Sequence, residues 1–392
     1  MKVGILSRYG EKVKWGGDTK VLVSLQKGLR KLGCQADFVE DPTDFAAYDM
    51  ALLSNTCLDL RPVYHFLRLH QIPYALMGFH EDMTLYAQAS SGFFRYVQGM
   101  LSDESDEGYP FSLERLLENP RLIFYYSSPP RKMIMANYDI IKNASVCFAN
   151  TLTEVQNYQK DCPGCNTFLA PLPPGFAEGK CAPGDDFLRM TGLNSGEYIL
   201  QIGRLELRKN QLGTILATAD LPMPLVFIST LSATFEYEKC CLEAIYKYRK
   251  DPTFVISQTL PSMKSGPLHI LQMPGKKKLS RSMLLSALYH AGLHLHPAFY
   301  ELPGLTYLEA AKLGTPSIAS SWTTVGDYFD TLDDRLVYTL PYDLPNIKKL
   351  ISQQFGKRYP QIRHPVFTRT SFDYAQNIHS AMMQFHGIKA EK

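Results

Sequence analysis

Two glutamates, Glu301 and Glu309, stand eight positions apart in HPAFYELPGLTYLEAAKLGTPSIAS, residues 296–320. Even a fully helical path would hold them about 12 Å apart, too far for a carboxylate pair that shares one reacting atom. The spacing suits two acceptors gripping the hydroxyls of an extended ligand at separate points. It also suits a loop glutamate followed by a first-turn glutamate that stabilises the helix dipole. The surrounding pattern is a strand ending at His296, a loop with Pro303 and Gly304, and a helix from about Leu305 to Leu313 stopped by Gly314. The backbone N–H groups of Gly304, Leu305 and Thr306 open that helix, and such an end attracts phosphate. Gly304 lets a ligand approach the backbone closely.

A second stretch, YILQIGRLELRKNQ, covers residues 198–211. A strand runs into Gly203 and Arg204, and a helix is predicted from near Asn210. Arg204 and Lys209 then sit in the loop at the carboxyl end of a strand, where open α/β sheets bind ligands. Two cations there could hold a diphosphate and offset its charge as it leaves. Taken alone, the same residues also read as a solvated turn. Gly16 and Gly17, with Asp18 and Thr19, precede the first helix and make another candidate donor or anion site, or simply a turn. They do not form G-x-G-x-x-G, so no dinucleotide cofactor is indicated. His80 follows the strand YALMG. A histidine there can point into a cleft and donate to a sugar or phosphate oxygen, although a lone histidine is more often structural.

Two motifs weigh less. Cys162-Pro163-Gly164-Cys165 has C-x2-C spacing, but zinc needs four ligands and no second matched pair exists, since Cys240 and Cys241 are adjacent. It reads as a loop turn. Pro274 to Lys278 lacks the first glycine and the final Ser/Thr of a P-loop. It reads as a basic approach to the helix SMLLSALYHA.

The elements that must position these residues alternate along the chain. KVGIL, ADFVE, MALLS, YALMG, SVCFA and TFLAP are strand candidates in the first half. YILQI, PLVFIS, TFVIS, LHILQ, AGLHLH, PSIAS and RLVYT follow in the second. Such continuous apolar strands between helices imply parallel sheets covered on both faces. The fold class is therefore α/β, with two doubly wound, Rossmann-like domains. In the first helix Leu22, Leu25, Leu29 and Leu32 make one stripe, with Lys20, Lys27 and Arg30 off it. Asp18 is its expected N-cap and Gly33 its stop. Pro171, Pro173, Pro174, Gly175, Gly179, Pro183 and Gly184 mark a linker. The expected division is residues 1–178, with a helical insertion at about 83–143, and residues 190–370. A C-terminal helix, residues 371–392, would follow.

A chain of 392 residues suits two domains. Its 41 Lys+Arg against 38 Asp+Glu give +3, which does not suggest a dedicated nucleic-acid binder. The N-terminus reads as a first strand and not as a signal peptide, and no stretch approaches about 18 apolar residues. The expectation is a cytoplasmic protein whose eight cysteines are reduced. Arg131, Lys132, Met133 and Met135 could form a basic-apolar patch touching the inner face of a membrane. The start of an ordinary amphipathic helix accounts for them as well.

In family order, these motifs resemble the retaining family 4 glycosyltransferases of GT-B architecture. The resemblance rests on GGDT before the first helix, His80, PLPPGF near the domain boundary, GRLELRKNQ, LLSALYHAGLHLHPAFYE, ELPGLTYLEAAKLGTPSIAS and the C-terminal FDYAQNIHSAMMQFH. It implies metal-independent transfer from a nucleotide-sugar donor to a glycan or lipid-linked acceptor, without a cofactor. Arg204 and Lys209 would contact the diphosphate. Glu301 and the backbone from Gly304 to Thr306 would contact sugar and phosphate, and Glu309 the ribose. His80 and the Gly16-Gly17 loop would close the site from the first domain, and the C-terminal helix would cross back onto that domain. Many members have Phe-Gly where this chain has Pro303-Gly304; the ELPGLTYLEA form and GGDT look familiar among bacterial surface-polysaccharide and lipopolysaccharide transferases. A non-catalytic GT-B protein binding a glycan or partner is a competing reading, as is another nucleotide-sugar enzyme such as an epimerase. A two-domain transferase is expected to close on its donor.

Overall fold

The computed structural model describes residues 1–6, 17–56, 60–102, 111–127, 137–173, 183–229, 234–273, 279–329, 334–360, 362 and 365–390. Gly16, the acidic run from Asp103 to Glu107, the patch at Arg131 to Met135, Pro174 to Gly179, and Pro274 to Lys278 lie outside the described residues.

The first half runs β1 (Lys2–Leu6), α1 (Gly17–Lys31), β2 (Gln35–Phe38), β3 (Met50–Ser54), α2 (Arg61–Leu69), β4 (Tyr74–Met77), α3 (Met83–Leu101), α4 (Leu113–Glu118), α5 (Tyr138–Asn143), β5 (Val146–Ala149), α6 (Leu152–Asp161) and β6 (Thr167–Leu169). The second half begins α7 (Asp186–Thr191), β7 (Ile199–Ile202), α8 (Gln211–Ala217), β8 (Leu225–Ser229), α9 (Phe235–Tyr248), β9 (Thr253–Ser257), β10 (Met263–Ser265) and β11 (Leu268–Gln272). It continues α10 (Arg281–His290), β12 (Leu293–His296), α11 (Leu305–Leu313), β13 (Ser317–Ser320), β14 (Leu336–Thr339) and α12 (Leu344–Gln354). Two more helices, α13 (Pro365–Thr368) and α14 (Ser371–Ala390), close the chain.

The strands form two sheets, ordered β2-β1-β3-β4-β5-β6 and β10-β11-β9-β8-β7-β12-β13-β14. All pairings are parallel except that of β10 with β11. Strand β10 was not in the sequence reading. Its three residues, MKS, are all exposed, so no apolar run announces it. In the inner strands β3, β4, β5, β8, β9, β12 and β13 both faces are buried. In β3, Met50 and Leu52 join one cluster while Ala51 and Leu53 join the other. In β8, Leu225 and Phe227 go one way, Val226 and Ile228 the other. This is why the strands read as unbroken apolar runs.

Helix α1 buries Val21, Leu22, Leu25 and Leu29 against Val3 and Ile5 of β1. Asp18 lies inside its first turn and not at the N-cap, and accepts the Thr19 amide at 2.9 Å. Gly33 follows the helix at φ +83°. The other side of α1 receives α14, whose Tyr374, Ala375, Ile378, Ala381 and Met382 are buried in the same cluster. The contact is close at Gly28, where a Cβ would lie 2.3 Å from Ala375 Cβ. Gly28→Leu is therefore expected to cost about 1–3 kcal/mol. An unchanged midpoint in urea unfolding would contradict this packing.

Helix α3 departs from the sequence grouping. It follows β4 of the first sheet, yet Tyr86, Phe93, Tyr96, Val97 and Met100 share a buried cluster with Ile199, Leu212, Phe227 and Tyr237 of the second half. Phe93 meets Phe299 with ring centroids 5.9 Å apart, and Lys247 Nζ donates to the Met100 carbonyl at 2.7 Å. Leu116 and Ile123 join the same cluster. Periodicity announces an apolar helix face but not which sheet will receive it. Among the described residues no helix is long and apolar enough to cross a membrane.

Candidate functional site

In the second sheet β7 lies between β8 and β12, and here the strand order reverses. Chains leaving β7 and β12 turn to opposite faces and open a crevice beyond their carboxyl ends. The two stretches singled out in the sequence are these two exits. Gly203, Arg204 and Lys209 follow β7, and Glu301, Gly304, Leu305 and Thr306 follow β12.

Asn210 ties the two loops together. It sits at φ +58° as the N-cap of α8, and its side-chain oxygen accepts the Gly213 amide at 3.1 Å. Its side-chain nitrogen donates to the carbonyls of Pro297 at 2.8 Å and Pro341 at 2.6 Å. Gln201 and Gln211 hold the carbonyls of Lys209 and Arg204, each at 2.7 Å. Across this frame Lys209 forms an ion pair with Glu301, and both side chains are largely buried. Gly203 borders the pair at a point where a side chain would make only ordinary contact. A Cβ there would come 3.4 Å from His296 Cε1 and 3.5 Å from Lys209 Cγ.

The charges around this pair balance. Arg204 pairs with Glu206 at 3.0 Å, and Arg208 lies 3.6 Å from Glu206 and 2.8 Å from Glu81. Burial and the Arg208 guanidinium push the Lys209 ammonium down to about 7, against the pull of Glu206. Burial works against ionisation of Glu206, but Arg208, Lys209 and Arg204 together hold its carboxyl below the usual range. His296 Nε2 lies 3.5 Å from the Glu301 oxygen that faces Lys209. Burial, then Lys209, drive its pKa far down, so the ring is neutral.

Gly304 caps α11 at φ +88°, and a Cβ there would meet the Tyr307 ring at 2.7 Å. Only glycine fits without displacing that ring. Tyr307 in turn donates its hydroxyl to the His296 carbonyl. Leu305 and Thr306 are half-buried in the first turn of α11, whose early N–H groups have no intrahelical partner. Glu309 lies deeper on the same helix and accepts from Arg281, at the start of α10, at 2.6 Å. The two glutamates thus hold different cations.

The first half contributes differently from the sequence reading. The His80 ring is 1% exposed and closed in on both sides: Nδ1 is 2.9 Å from Thr56 Oγ1 and Nε2 is 2.8 Å from Asp161. Tyr158 stacks on it, and the His80 amide donates to buried Glu154 at 2.8 Å. The next residue, Glu81, is the one that reaches Arg208. Gly17 begins α1 with open space around it. Sequence reasoning missed Glu81, Glu206, Arg208, His296 and Arg281. Glu206 and Arg208 lie within the stretch it selected, where alternating charge was a usable signal; Arg281 carried none. Among the described residues no three His, Cys, Asp or Glu side chains group as a metal site would need.

Neither a family model nor a curated protein sequence matches the chain. Solved structures do. A sucrose-phosphate synthase from Thermosynechococcus elongatus matches 100% of this chain and 97% of its own, with a TM-score of 0.57 and 14% identity. Anabaena HepE, solved with UDP and glucose, matches 100% of this chain and 98% of its own, also with a TM-score of 0.57 and 14% identity. The N-terminal domain of a Candida albicans trehalose-6-phosphate phosphatase covers 100% and is itself covered to 96%, with a TM-score of 0.52 and 10% identity. The fold is GT-B. At these identities the likeness is one of architecture. In this GT-B chain Lys209, Glu301 and the start of α11 stand together beyond the carboxyl ends of β7 and β12.

Proposed function

We propose that the chain is a retaining glycosyltransferase that moves a sugar from a nucleoside-diphosphate donor to a glycan or lipid-linked hydroxyl. The observation that carries this reading is the buried Lys209–Glu301 pair bridging the two loops where the strand order reverses. An incoming diphosphate competes with Glu301 for Lys209, with Arg204 beside it and the N–H groups of Gly304 to Thr306 facing it. Glu301, released, accepts from the sugar hydroxyls, and Glu309 accepts from the ribose. The bond from the anomeric carbon to the phosphate oxygen breaks as the acceptor oxygen bonds on the same face. The acceptor proton passes to the departing phosphate. Lys209 and Arg204 supply the charge stabilisation that a metal supplies elsewhere. The Gly17 end of α1 and the His80 loop close the site from the first half, with Glu81 on Arg208. A role in surface-polysaccharide synthesis, at the cytoplasmic face of a membrane, fits such an acceptor.

HepE was solved with UDP and glucose, so UDP-glucose is the first donor to test, beside GDP- and ADP-sugars. Slow hydrolysis of one donor and calorimetric binding of its nucleoside diphosphate are expected. A chain that binds none of the three diphosphates is not this enzyme.

Binding carries a pH signature. Lys209 is pushed down to about 7 by burial and Arg208, and a bound diphosphate favours its protonated form. Above about pH 7 the terminal phosphate is fully ionised, so the proton taken up on binding goes to Lys209. Affinity should fall as pH rises, by up to about tenfold per unit between about pH 8 and about pH 9. Calorimetry in buffers of different ionisation enthalpy reads that proton directly, and Lys209→Met should abolish it.

A further inference from the structure

Three cysteines that sugar transfer leaves idle stand together under the first sheet. Cys147 lies on β5, Cys162 ends α6, and Cys165 follows the turn; all are free thiols, and none is more than 5% exposed. The Cys165 thiol donates to the Tyr158 carbonyl at 3.8 Å and that of Cys147 to the Ile141 carbonyl at 3.7 Å, and all three side chains are buried in one cluster. The turn itself is well defined. The Cys165 amide donates to the Cys162 carbonyl at 3.2 Å, and Gly164 has φ +81°. Proline followed by a positive-φ glycine is the sequence of a type II turn. Such a turn brings its end Cα atoms within about 7 Å, close to the span that a disulfide bridges. Pro163 and Gly164 are exposed, so a reagent meets the turn at the surface.

We infer that Cys162 and Cys165 form a reversible dithiol–disulfide site, oxidised by a low-molecular-weight disulfide, whose state is passed to the His80 loop through Asp161. The Cys165 thiolate attacks one sulfur of the reagent, whose S–S bond breaks and releases one thiolate. The Cys162 thiolate then attacks Cys165 sulfur in the mixed disulfide and releases the second. The protein loses two hydrogens, and the reagent leaves as two thiols. Cys165 leads because the neighbouring Cys147 thiol holds its pKa below the ordinary cysteine range, whereas burial raises that of Cys162. Asp161, which immediately precedes Cys162, holds His80 Nε2 at 2.8 Å. Asn157 of the same helix donates to the His80 carbonyl at 3.4 Å. A bridge at Cys162 therefore acts on the last turn of α6, where His80 is anchored.

The test equilibrates the folded full chain with oxidised glutathione, blocks remaining thiols and digests with trypsin. Cleavage after Lys160 and Lys180 puts Cys162 and Cys165 in one peptide and Cys147 in another. The expected product is peptide 161–180 lighter by two hydrogens, restored by dithiothreitol and absent in Cys162→Ser. Thiols that stay fully reduced in the folded chain, or a cross-link to the Cys147 peptide, would overturn the pairing. In parallel, the His80 ring resonance, assigned by its loss in His80→Gln, should move on oxidation. A resonance that stays in place while the disulfide forms would overturn the link to α6. Neither readout depends on sugar transfer.

Discussion

Lys209→Ala should lower kcat/KM by about 10²–10³, the usual effect of removing one preorganised charge facing a leaving group. The same substitution should cost about 3–5 kcal/mol of stability, because it leaves Glu301 buried without its cation. The two effects can be separated. In Lys209→Ala/Glu301→Gln no carboxylate is stranded, so stability should return while transfer does not. Steady-state kinetics and urea unfolding on the three proteins check this. If the double variant regained transfer, Lys209 would be a structural partner of Glu301 and not a diphosphate ligand.

Phe93→Ala should destabilise the second half more than the first, by about 3–5 kcal/mol. Phe93 is 1% exposed, and its ring faces Phe299, whose amide donates to the Arg208 carbonyl at 2.8 Å. The cavity would thus open directly beneath the cation loop. Trp322, with its ring 6.4 Å from that of Phe299, reports locally; the only other tryptophan is Trp15, which can be changed to phenylalanine. Early loss of Trp322 emission in urea is the expected result. A cost below about 1 kcal/mol would show that α3 merely rests on the second half.

What the sequence makes legible follows the range of each signal. Strands buried on both faces advertise themselves, and the alternation of strand and helix is a property of neighbours in the chain. Gly203, Gly304 and Asn210 were readable because each marks a strand exit or a helix start. What could not be read is pairing across long separations. Glu81 and Arg208 are 127 positions apart, and Arg281 and Glu309 are 28 apart. No periodicity connects them. His80 could be placed at a strand end, but its burial comes from Thr56 and Asp161 closing in on it, a tertiary fact. The short edge strand β10 is exposed at all three positions, so no apolar pattern in its composition marks it.

The second half also reaches the first away from the crevice. Asp327 accepts the Thr153 amide at 2.7 Å and the Thr153 hydroxyl at 3.3 Å. Tyr328 donates to the Asn150 carbonyl at 2.9 Å and accepts the Leu172 amide at 2.7 Å. Thr153 lies in the first turn of α6, so one end of a first-half helix is capped from the other half. The exchange rate of this single amide hydrogen with solvent deuterium is then a clock for separation of the halves. It runs slowly while they are joined and fast each time they part, and it needs no substrate.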